Sequence, residues 1–208
     1  MNKVNDRELE VKLYLLHPEA FQQKMEGNGA SLLQARIHEW NLRFDAPDHS
    51  LSASGRVLRL RQDAITRLTY KSDASLSTDV ADRQEIEVEV GNFDTMRRIL
   101  ELLGFTVYIM YEKFRTTWNW QGCEITMDEM PFGTFCEVEG PDAAAIMQVV
   151  HNLGLAWENR ILTSYLGIFS MLRNIGFTSA ENLVFSGFTG GGIPQKIFEK
   201  IDIHPADY

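Results

Sequence analysis

At 208 residues, 44% hydrophobic and 24% charged, the chain is long enough for one domain with a substantial core. Its net charge of −9 argues against a general nucleic-acid binder, which carries an excess of Lys and Arg, and no apolar run approaches the length that spans a bilayer. Two cysteines, Cys123 and Cys136, and no secretory signal ahead of the first strand lead to the expectation of a reduced, cytoplasmic protein with both thiols as small buried groups.

The first element is a strand, Glu8-Leu9-Glu10-Val11-Lys12. Strand side chains alternate between faces, so Glu8, Glu10 and Lys12 share one face while Leu9, Val11 and Leu13 share the other. Such a mixed-charge face is either solvated or lines a polar cavity, and recurrence on other strands decides between the two. His17-Pro18-Glu19 opens a short helix that ends at Gly27-Asn28-Gly29. Leu32 to Phe44 reads as a long strand, followed by the turn Asp45-Ala46-Pro47-Asp48 and a loop with Ser50, Ser52, Ser54 and Gly55. Strands at 57–63 and 66–72 put Arg59 and Arg61, and then Lys71, on one face, and residues 73–81 read as a mobile Ser- and Asp-rich loop. Glu85-Ile86-Glu87-Val88-Glu89-Val90 is the cleanest alternating segment.

A helix begins at Asn92, carries Phe93, Met96, Leu100 and Leu103 at helical spacing, and stops at Gly104. Strands at 106–120, 123–130 and 134–139 follow, with Lys113 and Arg115, then Asp128, then Glu137 and Glu139 at alternate positions. Pro141-Asp142 starts a helix with Ile146, Val149, Val150 and Leu153 on one side, and a third helix around 160–173 carries Leu162, Tyr165, Leu166 and Phe169. These stripes are expected to pack on the outside of the sheet. The chain then divides into residues 1–173 and a segment 174–208 that reads as an extended tail or a lid. Its run Gly190-Gly191-Gly192 lacks the Gly-Lys-Ser/Thr ending of a phosphate loop.

Charges of both signs recur on seven strands, which points to an α+β chain whose sheet closes around a charged lumen. The ordered set Glu8-x-Glu10-x-Lys12, Arg59-x-Arg61, Lys71, Glu85-x-Glu87, Lys113-x-Arg115, Asp128 and Glu137-x-Glu139 resembles the CYTH, or triphosphate tunnel metalloenzyme, superfamily over roughly residues 7–172. That superfamily contains class IV adenylyl cyclases, thiamine triphosphatases, inorganic triphosphatases and fungal RNA triphosphatases. The resemblance implies an eight-stranded antiparallel β-tunnel (barrel), open at both ends, that binds a triphosphate with Mg²⁺ or Mn²⁺. It implies that Glu8, Glu10, Asp128, Glu137 and Glu139 hold metal, and that Lys12, Arg59, Arg61, Lys71, Lys113 and Arg115 grip phosphate oxygens and act in catalysis. Glu85 and Glu87 would orient the basic residues or help to hold a second metal.

The chemistry of these residue types agrees, because Mg²⁺ prefers carboxylate and phosphate oxygens and the chain has no His/Cys cluster with zinc spacing. Departures from the family are Asn41 and Arg43 where many members have Asp and Tyr, and Ser72-Asp73 after Lys71. Arg43 is either a further phosphate contact or a rim residue, while Tyr165 and His38 read as structural. The implied function is metal-dependent hydrolysis of an inorganic or organic triphosphate; the alternatives are cyclisation of ATP to cyclic AMP and pyrophosphate, and binding without turnover. The expected partner is a small triphosphate rather than nucleic acid or membrane, and a homodimer through outer strands or the tail is left open.

Overall fold

The computed structural model describes residues 7–73, 75–76, 79–188 and 192–206. Gly190 and Gly191 of the glycine run, and Ala74, Ser77 and Thr78 of the Ser- and Asp-rich loop, lie outside the described residues. The strands are β1 (Arg7–Leu15), β2 (Ser31–Asp45), β3 (Val57–Gln62), β4 (Thr66–Lys71), β5 (Ser75–Leu76), β6 (Ala81–Val90), β7 (Thr106–Trp120), β8 (Cys123–Met130), β9 (Gly133–Glu139) and β10 (Pro205–Ala206). The helices are α1 (Pro18–Gly27), α2 (Ser50–Ala53), α3 (Phe93–Leu102), α4 (Ala143–Asn152), α5 (Tyr165–Asn174) and α6 (Gln195–Ile201).

β1 pairs with β9 along one edge and with β6 along the other, so β1-β9-β8-β7-β2-β3-β4-β6 returns on itself as a ring of eight antiparallel strands. β5 and β10 are two-residue additions. The β1–β6 seam is short, running only from Arg7 to Glu10. Beyond it Ile161 bridges to Lys12, and Pro205 and Ala206 pair in parallel with Tyr14 and Leu15. The edge of β1 is therefore completed by three successive partners.

The alternation predicted for β1 holds. Val11 and Leu13 point outward into a cluster with Phe21 and Met25 of α1 and Ile146, Val149 and Val150 of α4. A smaller cluster lies under α3, where Leu100 meets Leu42, Phe44 and Leu60. The helices are locally specified: Asn92, Asp142 and Ser164 cap α3, α4 and α5 by accepting a backbone N–H. Cys123 and Cys136 are both free and buried.

Three features differ from the sequence expectation. Residues 50–53 form the short helix α2 rather than a loop, because the Asp45 carboxylate accepts the N–H groups of Leu51 and Ser52, each at 2.9 Å. Tyr14, Tyr111, Met130 and Phe135 continue the alternation of Lys12, Lys113, Asp128 and Glu137, and so point into the tunnel, where they pack against Ile168, Phe169 and Leu172 of α5 and Phe198 and Ile201 of α6. The tunnel is thus filled at this end, not open at both, and α5 lies across its end instead of on its outer wall. Residues 160–164 are not helical, and the segment after 173 is not extended where described: Leu183, Ile193, Phe198 and Ile203 are all buried in the same plug. No helix among the described residues is long and apolar enough to cross a membrane.

Candidate active site

The lumen between the plug and the opposite mouth is a cavity of about 310 Å³. Every predicted site residue except Asp128 lines it: Glu8, Glu10, Lys12, Arg59, Arg61, Lys71, Glu85, Glu87, Lys113, Arg115, Glu137 and Glu139. They come from β1, β3, β4, β6, β7 and β9, and alternation aims one side chain in two inward from each. Leu162, Ser164, Tyr165 and Leu166, at the start of α5, form part of its floor.

The β1–β9–β8 wall is acidic at its outer edge. Glu10 stands directly opposite Glu139 on β9, and Glu139 directly opposite Glu124 on β8. Like charges facing across strands repel. Burial, together with the charges of Glu8, Glu124 and Glu10, pushes the Glu139 carboxyl up to about 8. One step inward, Lys12 lies between Glu10 at 3.1 Å and Glu137 at 2.9 Å. Burial works against the Lys12 charge, but the two carboxylates outweigh it and hold its pKa above the ordinary lysine value. Glu137 is likewise held well below the carboxylate range against its burial, by Lys12, Arg115 and Lys113.

Asp128 is fully buried behind this wall. Its oxygens accept from Lys113 Nζ at 2.8 Å, from Arg115 Nε and Nη2 at 2.6 Å each, and from the Tyr165 hydroxyl at 2.9 Å. Arg115 also reaches Glu137. The carboxylate predicted as a metal ligand therefore grips two cations and a phenol, with no face on the cavity.

The β2–β3–β4 wall is looser. Arg59 stands 3.7 Å from Glu85 and 3.8 Å from Glu87, and Arg61 stands 3.6 Å from Glu39, 3.5 Å from Asp63 and 3.4 Å from Glu87. The Nε atoms of Arg43, Arg59 and Arg61 are all buried without a hydrogen-bond partner in the protein. Buried donors are ordinarily satisfied, so this wall is left under-satisfied within the protein itself. Lys71 joins this wall to β1, at 2.5 Å from Glu8 and 2.9 Å from Glu85.

Sequence reasoning missed several members. Glu39, 1% exposed, is held below the usual carboxylate range: burial opposes this, and Lys113, Arg115 and Arg61 outweigh it. Arg83 and Glu124 also line the cavity. All three have the parity of residues that were identified, so extending the alternation along β2, β6 and β8 would have found them. Tyr165 had no such signal, since its approach to Asp128 comes from a helix packed across the tunnel. His38, read as structural, lies on the outer face with Nε2 2.7 Å from Glu112.

The CYTH domain family model matches residues 6–152. The chain belongs to the CYTH family. Its match ends with α4, ahead of α5 and α6, while the plug residues Tyr14, Tyr111, Met130 and Phe135 lie within it. A Methanocaldococcus jannaschii protein named as a candidate adenylate cyclase is 24% identical over 170 residues, 76% of this chain and 96% of that one. A solved structure from Vibrio parahaemolyticus, also named as a candidate adenylate cyclase, superposes with a TM-score of 0.68 at 22% identity, over 78% of this chain and 97% of that one. A Hippeastrum protein described as a candidate adenylyl cyclase with a dominant triphosphatase activity superposes with a TM-score of 0.58 at 22% identity, over 78% and 95% of the two chains.

Among the described residues, no three acidic, His or Cys groups converge tightly enough to hold a metal unaided. The donor set still fits a hard divalent cation. Glu10, Glu124 and Glu139 stand in a row on adjacent strands, an arrangement of like charges that a bound divalent cation would relieve.

Proposed function

We propose that the chain is a divalent-metal-dependent triphosphatase, acting on tripolyphosphate, thiamine triphosphate or a nucleoside triphosphate. The observation that carries this reading is the set of three buried, unpartnered guanidinium Nε donors facing a wall of carboxylates across a small charged cavity. Arg59, Arg61 and Lys71 would bind the non-bridging oxygens, the arginines through paired N–H groups and the lysine as a point charge. Lys12, Lys113 and Arg115, aligned by Glu137 and Asp128, would neutralise the charge that builds on the departing phosphate oxygen as water attacks the terminal phosphorus. Glu85 and Glu87 would keep Arg59, Arg61 and Lys71 in register. Glu8, Glu10 and Glu139, with Glu124 beside them, would hold Mg²⁺ or Mn²⁺, which supplies Lewis-acid charge neutralisation at the phosphate chain, while Glu137, engaged by Lys12 and Arg115, would orient those two. Asp128, with its oxygens already engaged, is assigned the role of orienting Lys113 and Arg115.

The reading is tested by incubating the purified protein with each of the three substrates and Mg²⁺ or Mn²⁺, and measuring released phosphate. No release from any of them overturns it.

A second reading, adenylyl cyclase, is favoured by the names of the Methanocaldococcus and Vibrio relatives. In it the ribose 3′-hydroxyl attacks the α-phosphorus of ATP and pyrophosphate leaves. Separating cyclic AMP and pyrophosphate from ADP and phosphate among the products of ATP distinguishes the two. The charged lining suits the triphosphate that both reactions share, and the dominant triphosphatase activity named for the Hippeastrum protein favours hydrolysis.

A further inference from the structure

Arg43 lines the cavity, yet among the described residues no carboxylate oxygen lies within 4.0 Å of its guanidinium. The six predicted cations each have at least one such partner. Arg43 stands directly opposite Arg59 on β3, a like-charge pair that costs stability unless an anion sits between them. Both Nε atoms are buried without an acceptor.

The position along the tunnel is equally specific. Inward-facing residues of β7 run Arg115, Lys113, Tyr111, Ile109 toward the plug, and Ile109 already packs against the plug cluster. Arg43 is level with Ile109 and is, among the described residues, the one β2 charge that lines the cavity, since Asp45, the next residue of its parity, accepts the backbone N–H groups of Leu51 and Ser52. A register shift between Arg43 and Phe44 leaves Tyr108 as the extra residue of β7, with the Arg43 guanidinium 6.0 Å from its ring centre. Bulges of this kind re-aim side chains next to binding sites. Arg61, by contrast, pairs with the neutral Asn41, one inward step of about 6.7 Å farther from the plug.

We infer that Arg43 and Arg59 together hold the terminal phosphate at the closed end of the cavity, and that Arg43 is the residue by which the site distinguishes a chain of three phosphates from a chain of two. This rests on the triphosphate reading above. A shorter chain anchored among Lys113, Arg115 and Arg61 stops short of Arg43; a third phosphate reaches the facing guanidiniums and places its charge between them. The same placement sets the direction of threading, with the free phosphate end against the plug and any organic group toward the carboxylate mouth.

The test is calorimetric binding of tripolyphosphate and of pyrophosphate in EDTA, so that turnover plays no part, to the wild-type chain, Arg43→Gln and Arg43→Lys. Wild type is expected to prefer tripolyphosphate. Arg43→Gln should weaken tripolyphosphate binding about tenfold or more while pyrophosphate stays within about twofold, and Arg43→Lys should recover part of the loss. Should Arg43→Gln not fold, as judged by circular dichroism, Arg43→Lys carries the comparison with a smaller loss for tripolyphosphate alone. Equal weakening of both anions, or of neither, overturns the role of Arg43 and leaves the triphosphate reading standing. Failure of the wild-type chain to bind either anion overturns the placement of the terminal phosphate between the two arginines, while the triphosphate reading stands or falls on phosphate release in the presence of Mg²⁺ or Mn²⁺.

Discussion

The two long walls of the cavity carry similar numbers of charges but hold them differently. On the β1–β9–β8 side, and on the part of β7 that adjoins it, Lys12, Lys113 and Arg115 are tied to Glu137 and Asp128 by contacts of 2.9 Å or less. On the β2–β3 side Arg59 and Arg61 meet their carboxylates only at 3.4–3.8 Å, Arg59 donates besides to Tyr111 and Thr69 at 3.4 and 3.3 Å, and the Nε of Arg59 has no partner in the protein. The difference separates charges that shape the tunnel from charges that await a ligand. A buried ion is costly unless paired, so the first set is structural before it is functional. The second set is under-satisfied in the free protein, and an incoming polyanion completes it.

The sharpest way to break this contrast is Asp128→Ala. It leaves Lys113, Arg115 and the Tyr165 hydroxyl facing an empty position, and should cost about 3–5 kcal/mol in urea denaturation. A loss under about 1 kcal/mol would mean that this wall is no better knit than the other. Arg59→Ala should do the opposite. The loss of stability should be smaller than that of Asp128→Ala, because the carboxylates facing Arg59 stand at 3.7–3.8 Å, while the kcat/KM for triphosphate hydrolysis falls about 100-fold or more, as follows removal of a charge aimed at the developing anion. Equal damage to both quantities would erase the distinction. Glu10→Gln should reduce metal-dependent turnover about 10- to 100-fold and raise the Mg²⁺ concentration for half-maximal rate, with the melting temperature little changed.

Glu139 tests the outer edge of the tight wall by pH. Its carboxyl titrates near 8 in the folded protein against an ordinary value of 4.5, so the folded state retains a proton that the unfolded state has shed. Metal-free stability from this group is therefore full below about pH 4.5 and is lost as pH rises toward about 8. Thermal melts in EDTA at about pH 6 and about pH 9 should show wild type losing more stability between them than Glu139→Gln. Parallel losses would show that the carboxyl titrates normally. The smallest effect expected is that of Tyr165→Phe, about 1 kcal/mol, since Asp128 keeps its two cations when the phenol is removed.

Much of the lumen was legible because the strand period writes inward residues at every second position, and a charge there is conspicuous. Glu85 and Glu87 on β6, and Glu8, Glu10 and Lys12 on β1, declare their face unaided. The plug did not, because Tyr14, Phe135 and Met130 point inward yet look like any core residue. Only the arrival of α5 and α6 from far along the chain reveals that their side of the sheet has become dry. Asp128 was identified as a lumen acid, but spacing holds no information on whether a carboxylate meets water or three donors. Arg43 stood out as a departure from the family, and its placement beside the plug needed the β2–β7 register.

The edge of β1 is completed in turn by β6, by Ile161 and by Pro205–Ala206. During synthesis this N-terminal strand can therefore emerge long before the residues that cover its last two positions. Until they arrive Tyr14 and Leu15 present open backbone groups and bare apolar side chains, the features that invite pairing with a neighbouring nascent chain. The ring closes late and through contacts remote in sequence, so its formation belongs to the slow class of folding reactions.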